Sequence, residues 1–322
     1  LEANGMGDGI ALNDTVLTSN INTVNNLYLD SLSINNLIGI QDFISLRTID
    51  ASVNPIDSID LSNNDSLTHV YLNYCRLDSL DLSDKAYLLE LECDYNQLIS
   101  VDISNDSLLT HLSVHHNSLS IFDVTTNIGL IDLICYDNFI SNLDLSNNLF
   151  LDRLETNNNQ LNSLDLSNNT NLTVIVCYNN PLIYNLNFSN NLSLRYLRCE
   201  ATSISTLDLT NNTNLTYLYC DDNHLTELDL SNNLLLNRLA FSYNDVDSLD
   251  LSNHSSITEI YCSNNLLSYM DVRNGNSNNI LVFNTLNNPN LTCINVDDTT
   301  YSNSNWTNID PQSYFSNNCN II

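Results

Sequence analysis

Apolar residues return along most of this chain at a fixed interval, which neither a single amphipathic helix nor a single strand produces. Sliding the sequence against itself gives a period of 21 residues anchored on a triplet of the type Leu-Asp-Leu. Its first residue, taken as position 0, is Ile38, Ile59, Leu80, Val101, Phe122, Leu143, Leu164, Leu186, Leu207, Leu228, Leu249 and Met270, with one step of 22 after Pro181. Apolar residues recur at positions 8, 11, 13 and 18, and Asn is usual at position 16. Alternation between positions 10 and 14 predicts a short strand, and strands stacked turn on turn predict a parallel sheet with a spacing of about 4.8 Å. Positions 0 and 2 predict a second extended run on the opposite side. Almost no helix is expected.

Two features mark where the chain bends. Paired asparagines such as Asn147-Asn148, Asn168-Asn169, Asn190-Asn191, Asn211-Asn212 and Asn232-Asn233 follow the triplet and predict a polar turn. Position 16 reads Asn54, Cys75, Asn96, Asn117, Asn138, Asn159, Asn180, Thr202, Asn223, Asn244 and Asn265. An amide inside each turn can satisfy backbone groups left unpaired as the chain leaves the strand.

The run Leu215-Thr-Tyr-Leu218-Tyr-Cys220-Asp-Asp-Asn223-His-Leu225 carries the spacing Leu-x-x-Leu-x-Leu/Cys-x-x-Asn-x-Leu, which resembles the leucine-rich-repeat family over roughly residues 21 to 296. The resemblance implies a right-handed solenoid with a parallel concave sheet and a role in recognition. Three segments are expected: residues 1–20 as the remnant of an N-terminal cap, 21–290 as a solenoid of about twelve repeats, and 291–322 as a C-terminal cap. The last, with Leu291, Cys293, Trp306, Asp310, Phe315 and Cys319, is similar to the closing segment of secreted, internalin-like proteins of Bacteroidetes type.

Composition narrows the function. The chain has 8 Lys and Arg against 38 Asp and Glu, a net charge of -30, so nucleic acid and anionic membranes are disfavoured partners. No apolar run is long enough to span a bilayer. The first residues carry no basic and apolar leader, so any secretion signal is expected to have been removed or to lie outside this stretch. Of 9 cysteines, Cys93, Cys135, Cys177, Cys199, Cys220 and Cys262 occupy position 13, where other turns hold Leu72, Val114 and Phe241. They read as free core residues. Cys293 and Cys319 flank the cap and are the candidate disulfide, where one link would add about 3 kcal/mol and imply an oxidising compartment.

Columns of equivalent positions are where function is sought. Position 1 holds Asp60, Asp81, Asp102, Asp123, Asp144, Asp165, Asn187, Asp208, Asp229, Asp250 and Asp271, expected to face outward. Neighbouring carboxylates there repel by about 0.8 kcal/mol even at bulk dielectric, offset either by hydrogen bonds to the following turn or by calcium. On the concave side, His69, Glu90, His111 and Asp132, with Asp94 and His115 nearby, are zinc-ligand types, although cross-strand His–carboxylate pairs explain them more simply, and no metal is assigned. Tyr196, Arg198, Tyr217, Tyr219, Arg153, Arg238 and Tyr261 form the expected ligand-binding patch. With Arg195 it gathers half of the chain's eight basic residues, and Tyr and Arg dominate binding hot spots. The blander account is that exposed strands favour Tyr and that each Arg balances nearby Glu155, Glu200 and Asp221.

No phosphate loop or nucleophile elbow is present in the sequence, so neither catalysis nor a cofactor is expected. The expected function is a secreted or cell-surface recognition or adhesion module, a monomer that binds a protein or glycan through its concave face. The alternatives are a structural spacer or cell-envelope element stiffened by calcium, and the targeting arm of a longer enzyme.

Overall fold

The computed structural model describes residues 16–319. It is a parallel β-solenoid of the leucine-rich-repeat type, divided into two compact units, Leu1–Leu151 and Asp152–Ile322. The N-terminal cap expected at 1–20 lies largely outside the described residues; within them, Thr18–Ile21 is a single helical turn.

In the first unit the concave sheet consists of Asn26–Tyr28, Thr48–Asp50, His69–Tyr71, Glu90–Glu92, His111–Ser113 and Asp132–Ile134, parallel and in register. In the second it consists of Arg153–Glu155, Val174–Val176, Tyr196–Arg198, Tyr217–Tyr219, Arg238–Ala240, Glu259–Tyr261 and Val282–Asn284. Each of the twelve anchors is followed by one of these strands, and Asn26–Tyr28 adds another ahead of the first anchor. Strands begin ten residues after the anchor except the last, where the loop around Gly275, at φ 72°, delays the strand to Val282. The central residue of each strand is buried and its neighbours face the open side, so alternation sets the core directly.

The opposite side is extended as expected but forms ladders only in places: Ser79–Asp81 with Ser100–Asp102, and Ser248–Asp250 with Tyr269–Asp271. Position 0 is buried in most turns. Ile59 and Val101 are half-buried, and Ile38 corrects the expectation: it is 89% exposed, because the chain there turns through Gly39, at φ 93°, into a short 3-10 helix, Ile40–Asp42.

Asparagine amides join the turns on both sides. At position 16, the Asn138 Oδ1 accepts from the Leu119 amide of the preceding turn at 3.0 Å, and its Nδ2 donates to the Val114 carbonyl at 3.0 Å and to its own turn at Cys135 and Tyr136. Asn96, Asn117, Asn180, Asn223, Asn244 and Asn265 repeat these contacts in whole or part, and Asn288 adds a rung beyond those read from the sequence. Cys75 substitutes by pointing its thiol at the Ala51 carbonyl, 3.4 Å away. The residue just before each rung has φ between 48° and 61°, including Val53, Tyr74, Tyr95, Ala201 and Tyr243. These non-glycine residues pay a steric cost in that region, which their amides offset by bonding the next turn, as Tyr74 N does to the Asp94 carbonyl at 2.9 Å.

The paired asparagines are not simply a solvated turn. The second of each pair is fully buried, and its Nδ2 bridges two carbonyls of the previous turn, as Asn212 does to Phe188 at 3.0 Å and Asn191 at 2.9 Å. Asn64, Asn127, Asn148 and Asn233 do likewise. His254 takes one rung with its ring 3.1 Å from the Leu230 carbonyl, and burial keeps its pKa below the usual value. Asp106 takes another: Oδ1 accepts from the Lys85 amide at 2.7 Å, and burial raises its pKa to about 7.

The position-13 thiols are all buried and outside any disulfide, as expected, and burial pushes Cys93, Cys199 and Cys220 well above the ordinary thiol range. The structure contains the Cys293–Cys319 disulfide. In the closing segment, Cys293–Asn295 and Tyr314–Ser316 continue the convex ladder rather than the concave sheet. Between them lies a helix, Thr299–Asn305, capped by Asp298. Trp306 stacks on Phe283 at 4.4 Å and meets Phe315 edge-on, covering the last turn of the core.

Asn223→Ala removes four hydrogen bonds in a buried turn and is expected to cost about 2–4 kcal/mol in chemical denaturation, whereas Asn211→Ala, at an exposed amide, costs under about 0.5 kcal/mol. Because the folded pKa of Asp106 lies above its unfolded value of 3.8, its contribution to stability is complete below pH 3.8 and lost as pH rises through 7. Asp106→Asn is therefore expected to melt higher than the parent at pH 8, with the gap closing by pH 4.

Candidate recognition surface

The second unit carries the tyrosines and arginines of the expected patch. In-register pairing places Tyr196, Tyr217, Arg238 and Glu259 in one row across four strands, and Arg198, Tyr219, Ala240 and Tyr261 in the row beside it. Side chains two apart on a strand share a face, so both rows stand on the open concave side.

Within this patch, cations and rings interleave. The Arg198 guanidinium lies 4.4 Å over the Tyr178 ring and 5.4 Å from that of Tyr219. Arg238 lies 5.1 Å from both the Tyr219 and Tyr261 rings. Tyr196 meets Tyr217 and Tyr219 at 5.7 Å in tilted contacts. Carboxylates fix the arginines: Arg198 donates to Glu200 Oε1 through Nε at 2.9 Å and Nη2 at 2.6 Å, and Arg238 Nε is 3.2 Å from Glu259 Oε2. The Tyr261 hydroxyl donates to Glu259 at 3.0 Å. Burial works against the charge of Arg198, but Glu200 outweighs it and holds the pKa above the usual value. The result is a set of large side chains held in place before any partner arrives, which lowers the ordering cost of binding.

Arg153 does not join this cluster. It is paired with Glu155 on its own strand, and the Val174–Val176 strand separates it from Tyr196. Tyr178, which sequence reasoning did not place here, does join. It stands at position 14, just past the strand, and only that column's share of side chains, with Glu200 and Asp221 following, could have signalled it. Asp221, at position 14 of a later turn, is half-buried, its Oδ1 accepting from the Ser242 amide at 2.7 Å. Burial, with Glu200 adding to it, raises its pKa to about 6.

The first unit holds four of the six histidines. His69, Glu90, His111 and Asp132 form one row, with His69 Nε2 3.8 Å from Glu90 and His111 Nδ1 3.7 Å from Asp132. His115 and His116 pair with Asp94 at 3.2 Å and Asp137 at 3.1 Å. Beside the sheet, Tyr74, Tyr95 and His116 stack at 4.3 and 4.0 Å, and His115 stacks on Tyr136 at 4.3 Å. This aromatic file was not anticipated from sequence.

The convex aspartates turn back on their own chain. Asp60, Asp102 and Asp208 accept from the amide two residues on at 2.9–3.0 Å, and Asp81 and Asp123 add a Ser or Thr hydroxyl. These bonds lower the pKa of Asp81, Asp123 and Asp208. Asp271 departs from the outward column: it is buried against Arg273.

The geometry defines a leucine-rich-repeat solenoid with a differentiated concave face. No protein-family model and no curated protein matches the chain. Among solved structures it is similar to the functional domain of InlJ from Listeria monocytogenes, a domain described as including a cysteine ladder. Identity is 26% and the TM-score 0.76, over 91% of this chain and 74% of that one. It is also similar to the internalin InlF from Listeria monocytogenes, at 18% identity and a TM-score of 0.74, over 99% of this chain and 95% of that one. A more distant likeness is the ectodomain of the plant receptor kinase GASSHO1/SCHENGEN3 from Arabidopsis thaliana, at 16% identity and a TM-score of 0.63, over 83% of this chain and 39% of that one. Among the described residues no helix is long and apolar enough to cross a membrane.

The folded pKa of Asp221 exceeds its unfolded value of 3.8, so its contribution to stability is complete below pH 3.8 and lost as pH rises through 6. The expected outcome is a carboxyl resonance titrating near pH 6 by NMR, and a gain in melting temperature between pH 7 and pH 4 that Asp221→Asn diminishes.

Proposed function

We propose that this chain is a non-catalytic recognition module, secreted or displayed at a cell surface, that binds a protein or glycan through the concave face of its second unit. The observation that carries this reading is the prearranged patch of Tyr196, Arg198, Tyr217, Tyr219, Arg238 and Tyr261, in which rings and guanidinium groups alternate and carboxylates lock the arginines. Flat rings with hydroxyl tips suit both a peptide surface and the hydroxyl-rich face of a sugar. Arg153 contributes at the margin, as a separate anchor. The plant receptor ectodomain, whose structure is a complex with Casparian strip integrity factor 2, supports the reading by showing the same fold holding a protein ligand. A net charge of -30 turns selection against polyanions, so the partner is neutral or basic overall.

Immobilised chain should retain its ligand from the native environment, and the triple variant Tyr196→Ala, Arg198→Ala, Tyr217→Ala should lose at least about tenfold of that capture with its circular dichroism unchanged. Equal capture by parent and variant removes the patch from consideration. If chelator shifts the melting temperature strongly while capture ignores the patch, the calcium-stiffened spacer is the better reading.

A further inference from the structure

We propose that Glu90, Glu92 and His111 form a binding site for one divalent transition-metal ion of the zinc class on the concave face of the first unit. This site is independent of the tyrosine–arginine patch and stands or falls without it.

Glu90 and Glu92 are two apart on one strand and so project from the same face, and His111 is the in-register neighbour of Glu90 on the next strand. One ligand atom from each lies within 4.8 Å of the others, and all three residues are half-buried. These contacts are not hydrogen bonds: His111 Nε2 is 3.9 Å from Glu92 Oε1. Nitrogen and oxygen ligands of tetrahedral zinc sit about 2.0–2.2 Å from the ion and hence about 3.4 Å from one another, so rotation of side chains by less than about 1 Å closes the shell.

The surroundings hold these donors as metal ligands are held. The second ring nitrogen of His111 stands 3.7 Å from Asp132 Oδ2, just beyond hydrogen-bond range, on the side from which a carboxylate orients a metal-bound histidine once the ring shifts onto the ion. Glu92 Oε2 accepts from Asn73 Nδ2 at 2.8 Å, and the amide of Asn73 is itself fixed because its Oδ1 accepts from the Asp94 backbone at 2.8 Å. His69 Nε2, 3.8 Å from Glu90 Oε2, is a further nitrogen at the rim. One imidazole with two carboxylates favours zinc-class ions over calcium or magnesium, which prefer oxygen ligands alone. The remaining coordination position faces the open concave side, where water fills it.

The test uses the whole untagged chain stripped of metal. Calorimetric titration with zinc should show one saturable site, at least about tenfold tighter than calcium or magnesium, and cobalt(II) should give a visible absorption band on binding. His111→Ala and the isosteric Glu92→Gln should each weaken zinc at least tenfold, and Asp132→Asn about tenfold. His116→Ala should leave binding unchanged, and metal-free melts of all four variants should match the parent, separating lost ligands from lost fold. Absence of saturable zinc uptake overturns the proposal, as does uptake that persists unchanged in both His111→Ala and Glu92→Gln.

Discussion

A chain that leaves a strand and bends back must leave backbone donors and acceptors without strand partners, and here side-chain amides answer for them. On the concave side each position-16 asparagine spans two turns, accepting from one and donating to both. On the convex side a second file of buried asparagines donates its Nδ2 to two carbonyls of the turn before. An unsatisfied buried group costs about 1–3 kcal/mol, so without these amides the apolar interior could not be closed off by so few residues per turn. The leucines and thiols supply the driving force. The asparagines decide that it is spent on this coil and not on a collapsed globule.

The same constraint separates structure from function. Inward positions stay apolar from turn to turn because each must fill the same layer, while most outward residues of the strands are only partly buried. Those columns have diverged into imidazoles and carboxylates in the first unit and into rings and guanidinium groups in the second. Variation confined to positions the core does not need is where binding specificity can be written.

Much of this was legible in the sequence because a repeat repeats its physics. The period, the strand positions, the position-16 ladder and the burial of the repeat thiols all follow from apolar spacing, and each recurs often enough to outweigh local exceptions. What escaped was what depends on three-dimensional turns. Asn212 and Asn211 look alike in sequence, yet one is fully buried and the other exposed, because the chain rotates between them. The left-handed residues were hidden because Val53 and Tyr95 disguise a conformation usually betrayed by Gly or Asn. Ile38 carried the right letter at the right interval but is turned outward where the chain bends through Gly39 into the 3-10 helix. In the site, Tyr178 was missed and Arg153 included because the rows were read from the strands alone, whereas Arg198 reaches past its strand and Arg153 folds onto Glu155.

Amide hydrogen exchange at the residues that donate to side-chain oxygens of the ladder tests the central claim most directly. Leu98, Leu119, Leu225, Val246 and Leu267 lie outside the strands, and each gives its N–H to an asparagine Oδ1 one turn away at 3.0–3.1 Å. Protection as strong as that of the strand-centre amides Leu112 and Leu218 is the predicted result. Exchange at the rate of exposed loops would mean that the amides do not bind the turns together.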